Sequence, residues 1–545
     1  MRVLFPRACC RSLFVAAASL SLLIPATAPA QASDLAVPPM VLPGTHTARA
    51  AATGPDGLAA GWIVGARPGA RTVALAARHG ARRMSRLGTY LVPTRRAARF
   101  AAELRRIGAL DYAEPNVRKR PSAFEADPAG WSRGAIAAPA LALPPIGSTA
   151  VAVIDDRVDA TMPDLVNTTF LPGSTAAVTG PHGTEVASVV GAAADGQGVL
   201  GTFPGVRIAS FGVPDEFGCA ESAAGIDAAR RAGVAAINMS YGSTYRCYSE
   251  YRELQYAFAA GIVAVASAGN EFEEGNPVTY PAALPHVVSV AAVDRDLTSS
   301  YFSTANAAVD LSAPGAGVPV DRPLAFDTSD GIQDGFSRVD GTSFAAPAVA
   351  GAAAILAAAR PDWGAGQLAD ALRFSARDIG DSDYDYDTGF GLLDVRAALA
   401  LRQPEEDPGE PNDEVMWVNG VAFDTPDPPI FTGVNPRTVS ASVDQVEDPL
   451  DVYRVRILPR QSVRITLTPS FGDPDLQVLR PGARSTSDPG RTIVTSRRNG
   501  TRIDSAVVRN GTPQAAVVFV AVEIDGSVDD LDAAYRLTVR RAPRR

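Results

Sequence analysis

Cysteine and histidine are both scarce in this chain of 545 residues, with four of each. Cys9 and Cys10 precede the first apolar stretch, where they are badly placed for lipid attachment after leader cleavage, so only Cys219 and Cys247 remain for the body of the protein. In an exported chain one remaining pair is expected to form one disulfide, the alternative being two buried thiols. Of the histidines, His46 and His79 fall in a segment expected to be removed, and His286 beside an apolar run reads as an exposed or capping residue. That leaves His182 as the well-placed base. Long apolar runs are missing after the N-terminus: none reaches the roughly 20 residues that span a bilayer, so no membrane anchor is expected. No repeat of solenoid period is visible. An excess of basic charge is absent too. The formal net charge is −9, whereas the main body of a nucleic-acid binder would be basic.

The charge that is present is divided unevenly. Residues 61–120 carry 14 Lys or Arg against 3 acidic residues, whereas everything from 121 onward sums to −22. A basic segment ahead of an acidic body is expected to bind it electrostatically. Further upstream, Arg2, Arg7 and Arg11 precede a short apolar stretch from Ser12 to Ile24. Small-residue sites follow at Ala28-Pro29-Ala30 and Ala30-Gln31-Ala32, so residues 1–32 read as an export signal and the protein as secreted and extracellular.

The rest divides by texture. Within 33–125, residues 62–116 read as a small α+β unit, with strands at 62–64 and 89–92 and an extended run at 110–116. Between them Ala97, Phe100, Ala101, Leu104 and Ile107 fall at helical spacing, with Thr94 as N-cap and Gly108 as stop. From 126 to 402 short apolar strands (150–154, 206–213, 235–239, 262–266, 287–293) alternate with Ala-rich helices (182–194, 221–232, 248–260, 343–360). That alternation predicts an α/β domain with a parallel sheet covered on both faces. Residues 403–413 are a polar, Pro-rich linker. Residues 414–545, with strand-like runs at 452–458, 462–467, 515–522 and 535–539, read as an all-β sandwich.

Four motifs carry chemistry. In Gly341-Thr342-Ser343-Phe344-Ala345-Ala346-Pro347 a serine opens a buried helix, where free N–H groups and the positive dipole end favour an oxyanion. Serine in that place is often merely an N-cap. His182-Gly183-Thr184 puts the usual base for a serine nucleophile at a helix start. Val151-Ala152-Val153-Ile154-Asp155 ends a buried strand in a carboxylate, costly unless paired, and orienting a histidine would supply the pairing. Ala266-Ser267-Ala268-Gly269-Asn270 puts an amide donor at a strand end, though Gly-Asn is also an ordinary turn.

Taken in the order Asp–His–Asn–Ser, these motifs resemble the subtilisin-like serine proteases over roughly 126–402. Ile237-Asn238-Met239-Ser240-Tyr241-Gly242 is similar to the family's substrate-pairing edge strand, and Tyr386-Asp387-Thr388-Gly389-Phe390-Gly391 to its end-of-domain motif. Residues 62–116, ending Ala113-Glu114-Pro115-Asn116, resemble its inhibitory propeptide. The sandwich resembles bacterial pre-peptidase C-terminal domains through Glu410-Pro411-Asn412-Asp413-Glu414 and Asp451-Val452-Tyr453. The resemblance implies a secreted serine endopeptidase made as a zymogen. Asp155, His182 and Ser343 would form its triad and Asn270 the oxyanion donor. Protein or peptide substrate would lie against Ser240, Tyr241 and Gly242 and against Ala266, Ser267, Ala268 and Gly269, and the propeptide would be a partner in cis.

Two departures favour an alternative, a catalytically weak or inactive secreted binding protein on the same scaffold. Asp156-Arg157 stands where the family has Thr-Gly, and Glu185 where it has a second His. An esterase of the α/β-hydrolase type lacks its Gly-x-Ser-x-Gly elbow. No cofactor is expected to be required. Asp381, Asp383, Asp385 and Asp387 offer oxygen ligands for a structural calcium, against the plainer reading of an acidic surface loop. Glu271, Glu273 and Glu274 hint at a preference for basic substrate residues.

Overall fold

The structure is a computed structural model that describes residues 58–121, 131–138, 143–194, 198–214, 216–328, 332–405, 407–488, 490–524 and 532–543, the side chains of 58–60 and 117–121 excepted. The expected export signal lies outside the described residues, as do residues 33–57 and 122–125 of the segment that follows it. What is described of that segment is β1 (Leu58–Ala66), α1 (Ala70–His79), β2 (Arg82–Arg83), β3 (Thr89–Val92), α2 (Thr94–Arg106) and β4 (Leu110–Pro121). β1 lies between β3 and β4, antiparallel to both. The apolar stripe of α2 is buried at Ala97, Phe100, Ala101 and Leu104, where it packs on Trp62, Val64 and Tyr90. The stripe ends there, because Ile107 is exposed. Thr94 is the first helical residue and not the cap: Pro93 holds the N-cap position, and no side chain caps the helix.

The α/β domain follows with β5 (Ala150–Asp155), β6 (Thr168–Phe170), α3 (His182–Gly191), β7 (Arg207–Gly212), β8 (Phe217–Gly218) and α4 (Cys219–Ala232). Next come β9 (Ala236–Met239), β10 (Tyr241–Gly242), α5 (Tyr248–Ala259), β11 (Val263–Ser267), β12 (Val287–Val293) and β13 (Leu311–Pro314). A hairpin of β14 (Val318–Asp321) and β15 (Phe336–Val339) leads to α6 (Thr342–Ala359), α7 (Ala365–Phe374) and α8 (Val395–Ala400). Seven strands form one parallel sheet in the order β13-β12-β11-β9-β5-β7-β6. Strands β5, β11 and β12 are buried along their whole length, so they read as unbroken apolar runs. Alternate residues serve two cores. Val151, Val153, Val263 and Val265 face the layer that contains α6, while Ala152, Ile154, Ala264 and Ala266 face that of α4 and α5.

By length and composition α6 is apolar enough to cross a membrane, against the expectation that no later run qualifies. It is the central core helix of the domain, 83% buried inside the protein. Cys219 and Cys247 are joined by a disulfide that links the first residue of α4 to the residue before α5.

Beyond a short helix, α9 (Val415–Val418), the chain forms β16 (Arg437–Asp444), β17 (Leu450–Ile457), β18 (Ser462–Phe471), β19 (Pro474–Leu479), β20 (Thr492–Ser496), β21 (Asp504–Arg509), β22 (Ala516–Ile524) and β23 (Asp532–Arg541). These make two four-stranded antiparallel sheets, β16-β23-β18-β21 and β17-β22-β19-β20, which share one core. The linker before them is not a loose spacer: Asn412 and Asp413 are buried, because the segment packs against the α/β domain. Trp417, fully buried, sits among Tyr251, Tyr256 and Phe423 and donates its indole N–H to the Tyr251 hydroxyl at 3.1 Å. Trp417→Ala is expected to remove about 3–5 kcal/mol of packing. That loss would appear as a lowered midpoint of thermal unfolding and as easy proteolytic release of the sandwich. An unchanged midpoint would mean that the sandwich is held elsewhere.

Candidate active site

Asp155 closes β5 at its carboxyl end and is buried, as the sequence predicts. Its Oδ1 accepts from His182 Nδ1 at 2.8 Å and from the Asp156 backbone N–H at 2.7 Å. Gly183 permits this approach of α3 to the strand end, since a Cβ there would lie 1.9 Å from the Asp156 carbonyl oxygen. Burial opposes charge on the imidazole. The charge and hydrogen bond of Asp155, with Glu185 and Asp156 behind them, more than offset it and hold the His182 pKa up at about 9. His182 Nε2 is buried and makes no hydrogen bond.

Ser343 is the second residue of α6 and is fully buried. The chain enters the helix through Gly341 at φ +148°, a conformation that favours glycine. Pro347 has no N–H, so the Ser343 carbonyl lacks its helical donor. Ser240 Oγ takes that place at 2.7 Å and is itself held by Asn238 Nδ2 at 2.9 Å. The Ser343 hydroxyl donates to the Ser240 carbonyl at 3.3 Å and not to His182 Nε2. Asp155 and His182 are therefore joined, and Ser343 lies beside them, its neighbour Phe344 packing on the His182 ring at 5.5 Å.

Asn270 follows β11, and its Oδ1 accepts from the Thr342 N–H at 3.0 Å and the Thr342 hydroxyl at 2.9 Å. This leaves Asn270 Nδ2 buried without an acceptor, a donor held ready for one. Thr342 also accepts from the Gly269 N–H at 3.2 Å, so it fixes Asn270 relative to Ser343. Sequence reasoning gave Thr342 no role, although it lies inside the serine motif.

The two predicted substrate segments differ. Tyr241 and Gly242 form the edge strand β10, which pairs antiparallel with Pro121 and Arg120 of β4. Ser240 is buried and ties α6 in place. Ala266 and Ser267 belong to the interior strand β11 between β9 and β12. Ala268 N–H donates to Val290 and its carbonyl accepts from Thr279, while the Gly269 carbonyl accepts from Thr304. The second edge beside β4 is Phe217–Gly218 of β8, paired with Lys119 and Arg118. The sequence carries little sign of β8, a strand of two residues next to a helix.

Of the departures, Arg157 and Glu185 have partners outside the dyad, although the charges of Glu185 and Asp156 act on His182. The Arg157 guanidinium stacks on Phe170 at 3.4 Å and donates to the Thr175 carbonyl at 2.6 Å. Glu185 forms a buried ion pair with Arg322 at 2.6 Å; burial raises its pKa, against the pull of Arg322. Glu271 Oε2 accepts from the Thr304 hydroxyl, while Glu273 and Glu274 are exposed on the following turn. Asp385 accepts from Asp387 and Thr388 within its own turn. Among the described residues no group of three ligating side chains includes the aspartates of 381–387.

Residues 147–391 match the model of the subtilase family. Subtilisin DY of Bacillus licheniformis is 34% identical over 257 residues, covering 46% of this chain and 89% of that protein. Subtilisin E of Bacillus subtilis (strain 168) is 33% identical over 258 residues, 65% of its length, and fervidolysin of Fervidobacterium pennivorans 32% over 284 residues, 40% of its length. The crystal structure of fervidolysin aligns with 88% of this chain and 95% of its own at a TM-score of 0.56 and 17% identity, a likeness of fold. With these relatives and this site, the chain belongs to the subtilase family and is a subtilisin-like serine endopeptidase.

Proposed function

We propose that the chain hydrolyses peptide bonds through an acyl-enzyme on Ser343. The observation that carries this reading is the buried Asp155–His182 hydrogen bond, together with an Asn270 amide whose buried N–H₂ has no acceptor. A change of χ1 turns the Ser343 hydroxyl from the Ser240 carbonyl towards His182 Nε2, which takes its proton as the oxygen attacks. Asp155 holds the imidazolium, and Asn270 Nδ2 with the Ser343 backbone N–H at the helix start stabilises the oxyanion. Protein or peptide substrate adds as a strand between β8 and β10. A fluorophosphonate probe is expected to label the processed wild type and not Ser343→Ala. Unlabelled wild type would instead favour a non-catalytic scaffold.

Since the base acts only when neutral, kcat/KM should rise with pH, with an acid limb above the ordinary histidine value of about 6.5. Asp155→Asn should move the limb down. A wild-type limb at or below pH 6.5 would contradict the role given to the Asp155 carboxylate.

The N-terminal unit, on this reading, is an inhibitory propeptide removed from a secreted zymogen. What supports it is that β4 fills the space between β8 and β10, while two of the segment's three acidic residues grip the catalytic domain. Glu114 accepts from the Tyr248 and Ser249 N–H groups at the start of α5, and Asp111 pairs with Arg252 at 3.1 Å. Asn116 does the same for Ala220 in α4 at 3.0 Å. Glu114→Ala leaves two helix-end donors unsatisfied, a loss of about 1–3 kcal/mol, and should weaken inhibition by the added segment about 10- to 100-fold. Equal inhibition by both forms would argue against Glu114 as an anchor.

A further inference from the structure

One disulfide joins the two edges between which β4 lies. β8 ends at Gly218, and Cys219 follows it directly as the first residue of α4. β10 ends at Gly242, and four residues separate it from Cys247, the N-cap residue of α5. The bridge holds the two Cα atoms 6.0 Å apart and so ties the start of α4 to the start of α5. A strand that pairs with both edges needs them two strand spacings apart, about 9–10 Å. If that gap opens by about an ångström, the hydrogen bonds on one side are lost, because N–H···O distances extend only to about 3.2 Å.

The N-terminal unit supplies further restraints on this gap. Among the described residues β8 pairs only with β4, and β10 pairs as a strand only with β4, beside a single bridge from Ser243 to Tyr280. Glu114 takes the first N–H groups of α5, and Asn116 takes that of Ala220 in α4. The same unit covers the disulfide. Cys219 and Cys247, both 0% exposed, share a cluster with Ala220, with Ile63 of β1 and with Tyr112 of β4, and Met84 and Leu91 pack against it. When the unit leaves, the strand pairing, both helix caps and this cover leave together. The edges are then joined by the packing of α4 on α5, by the Tyr241 ring on Phe217 at 5.0 Å, by the Tyr241 hydroxyl with Ser222 at 2.7 Å, and by the disulfide. Packed side chains yield to small displacements, whereas departures from disulfide geometry are costly.

We propose, on the reading that substrate adds as a strand between these edges, that the Cys219–Cys247 disulfide positions it. In the processed protein the bridge keeps β8 and β10 at the spacing at which one peptide strand pairs with both. It acts through the strands and not on Ser343, His182 or Asn270, so the binding of extended peptides depends on it and the chemical step does not. While the N-terminal unit is in place the bridge is redundant and shielded. Once the unit has gone, the bridge sets the spacing and lies open to thiol reagents.

The test compares processed wild type with processed Cys219→Ala/Cys247→Ala on a peptide amide long enough to pair with both edges, on its truncated form, and on a fluorophosphonate probe, which needs neither edge. Wild type is expected to show the lower KM for the long peptide. The variant should lose that gain, its KM rising about tenfold while kcat and the labelling rate stay within about twofold. No gain with length in wild type would remove the strand reading itself. A gain kept by the variant would overturn the role of the bridge alone. So would a labelling rate that falls together with peptide hydrolysis, the mark of a bridge that only stabilises the fold. If the variant does not mature, a dithiol reagent serves on processed wild type: Cys219 and Cys247 become thiols as the reagent closes to its own disulfide. The same rise in KM is expected, reversed on reoxidation, whereas the bridge in the full-length Ser343→Ala chain should resist the reagent. A bridge that resists equally in the processed enzyme, or that yields with KM unchanged, would overturn the proposal.

Discussion

The proposed active site rests on the contact between α6 and the parallel sheet. α6 packs against β9, β11, β12, β13 and α3, and alanine is the commonest of its buried residues. Small side chains let the helix lie close to the strand ends. At that range Thr342 reaches Asn270 and Gly269, and Ser240 reaches the Ser343 carbonyl that Pro347 leaves without a donor. A helix held farther out by larger residues would keep every motif and lose these bonds. The proline inside the helix is part of the same arrangement, since it frees a carbonyl that a loop from the sheet then takes up.

Much of the catalytic domain was legible because its signals are local. Strands buried on both faces read as apolar runs, and the proposed catalytic groups lie inside short motifs whose order and residue types fit one chemistry. The elements that escaped notice have weak local signals for identifiable reasons. Helix α1 buries Thr72, Ala76 and His79, so it shows no stripe of large apolar residues. Strands β16, β20 and β21 are sheet edges with mostly polar or half-buried residues. His286 and the 404–413 segment were misread because what buries them comes from more than a hundred residues away in the chain. Asp385, in the run of alternating aspartates, accepts from Asp387 and Thr388 of its own turn, which the spacing alone does not reveal.

Net charge led to the expectation that the N-terminal unit and the body attract one another, but it says nothing of where they touch. The arginines of α2 face largely outward. Close contacts run through Ser85 and Thr89 on Glu253 and through Asp111, Glu114 and Asn116, the last three placed against an arginine and two helix starts. Charge balance governs the field at long range, whereas a contact depends on which donors are left without partners, and helix N-termini supply them.

Helix α5 is held from both sides. Arg252, Glu253 and the Tyr248 and Ser249 N–H groups meet the N-terminal unit, while Tyr251 and Tyr256 meet the segment around Trp417. Tyr248 touches both, with its ring against Tyr112 at 4.8 Å and its hydroxyl on Met416 at 3.0 Å. This one helix is thus common property of three units that are separate in sequence. A chimera that exchanges either flanking unit with a relative would break contacts inside the catalytic domain itself. The smallest piece that can be transplanted intact includes α5 together with whichever neighbour is moved.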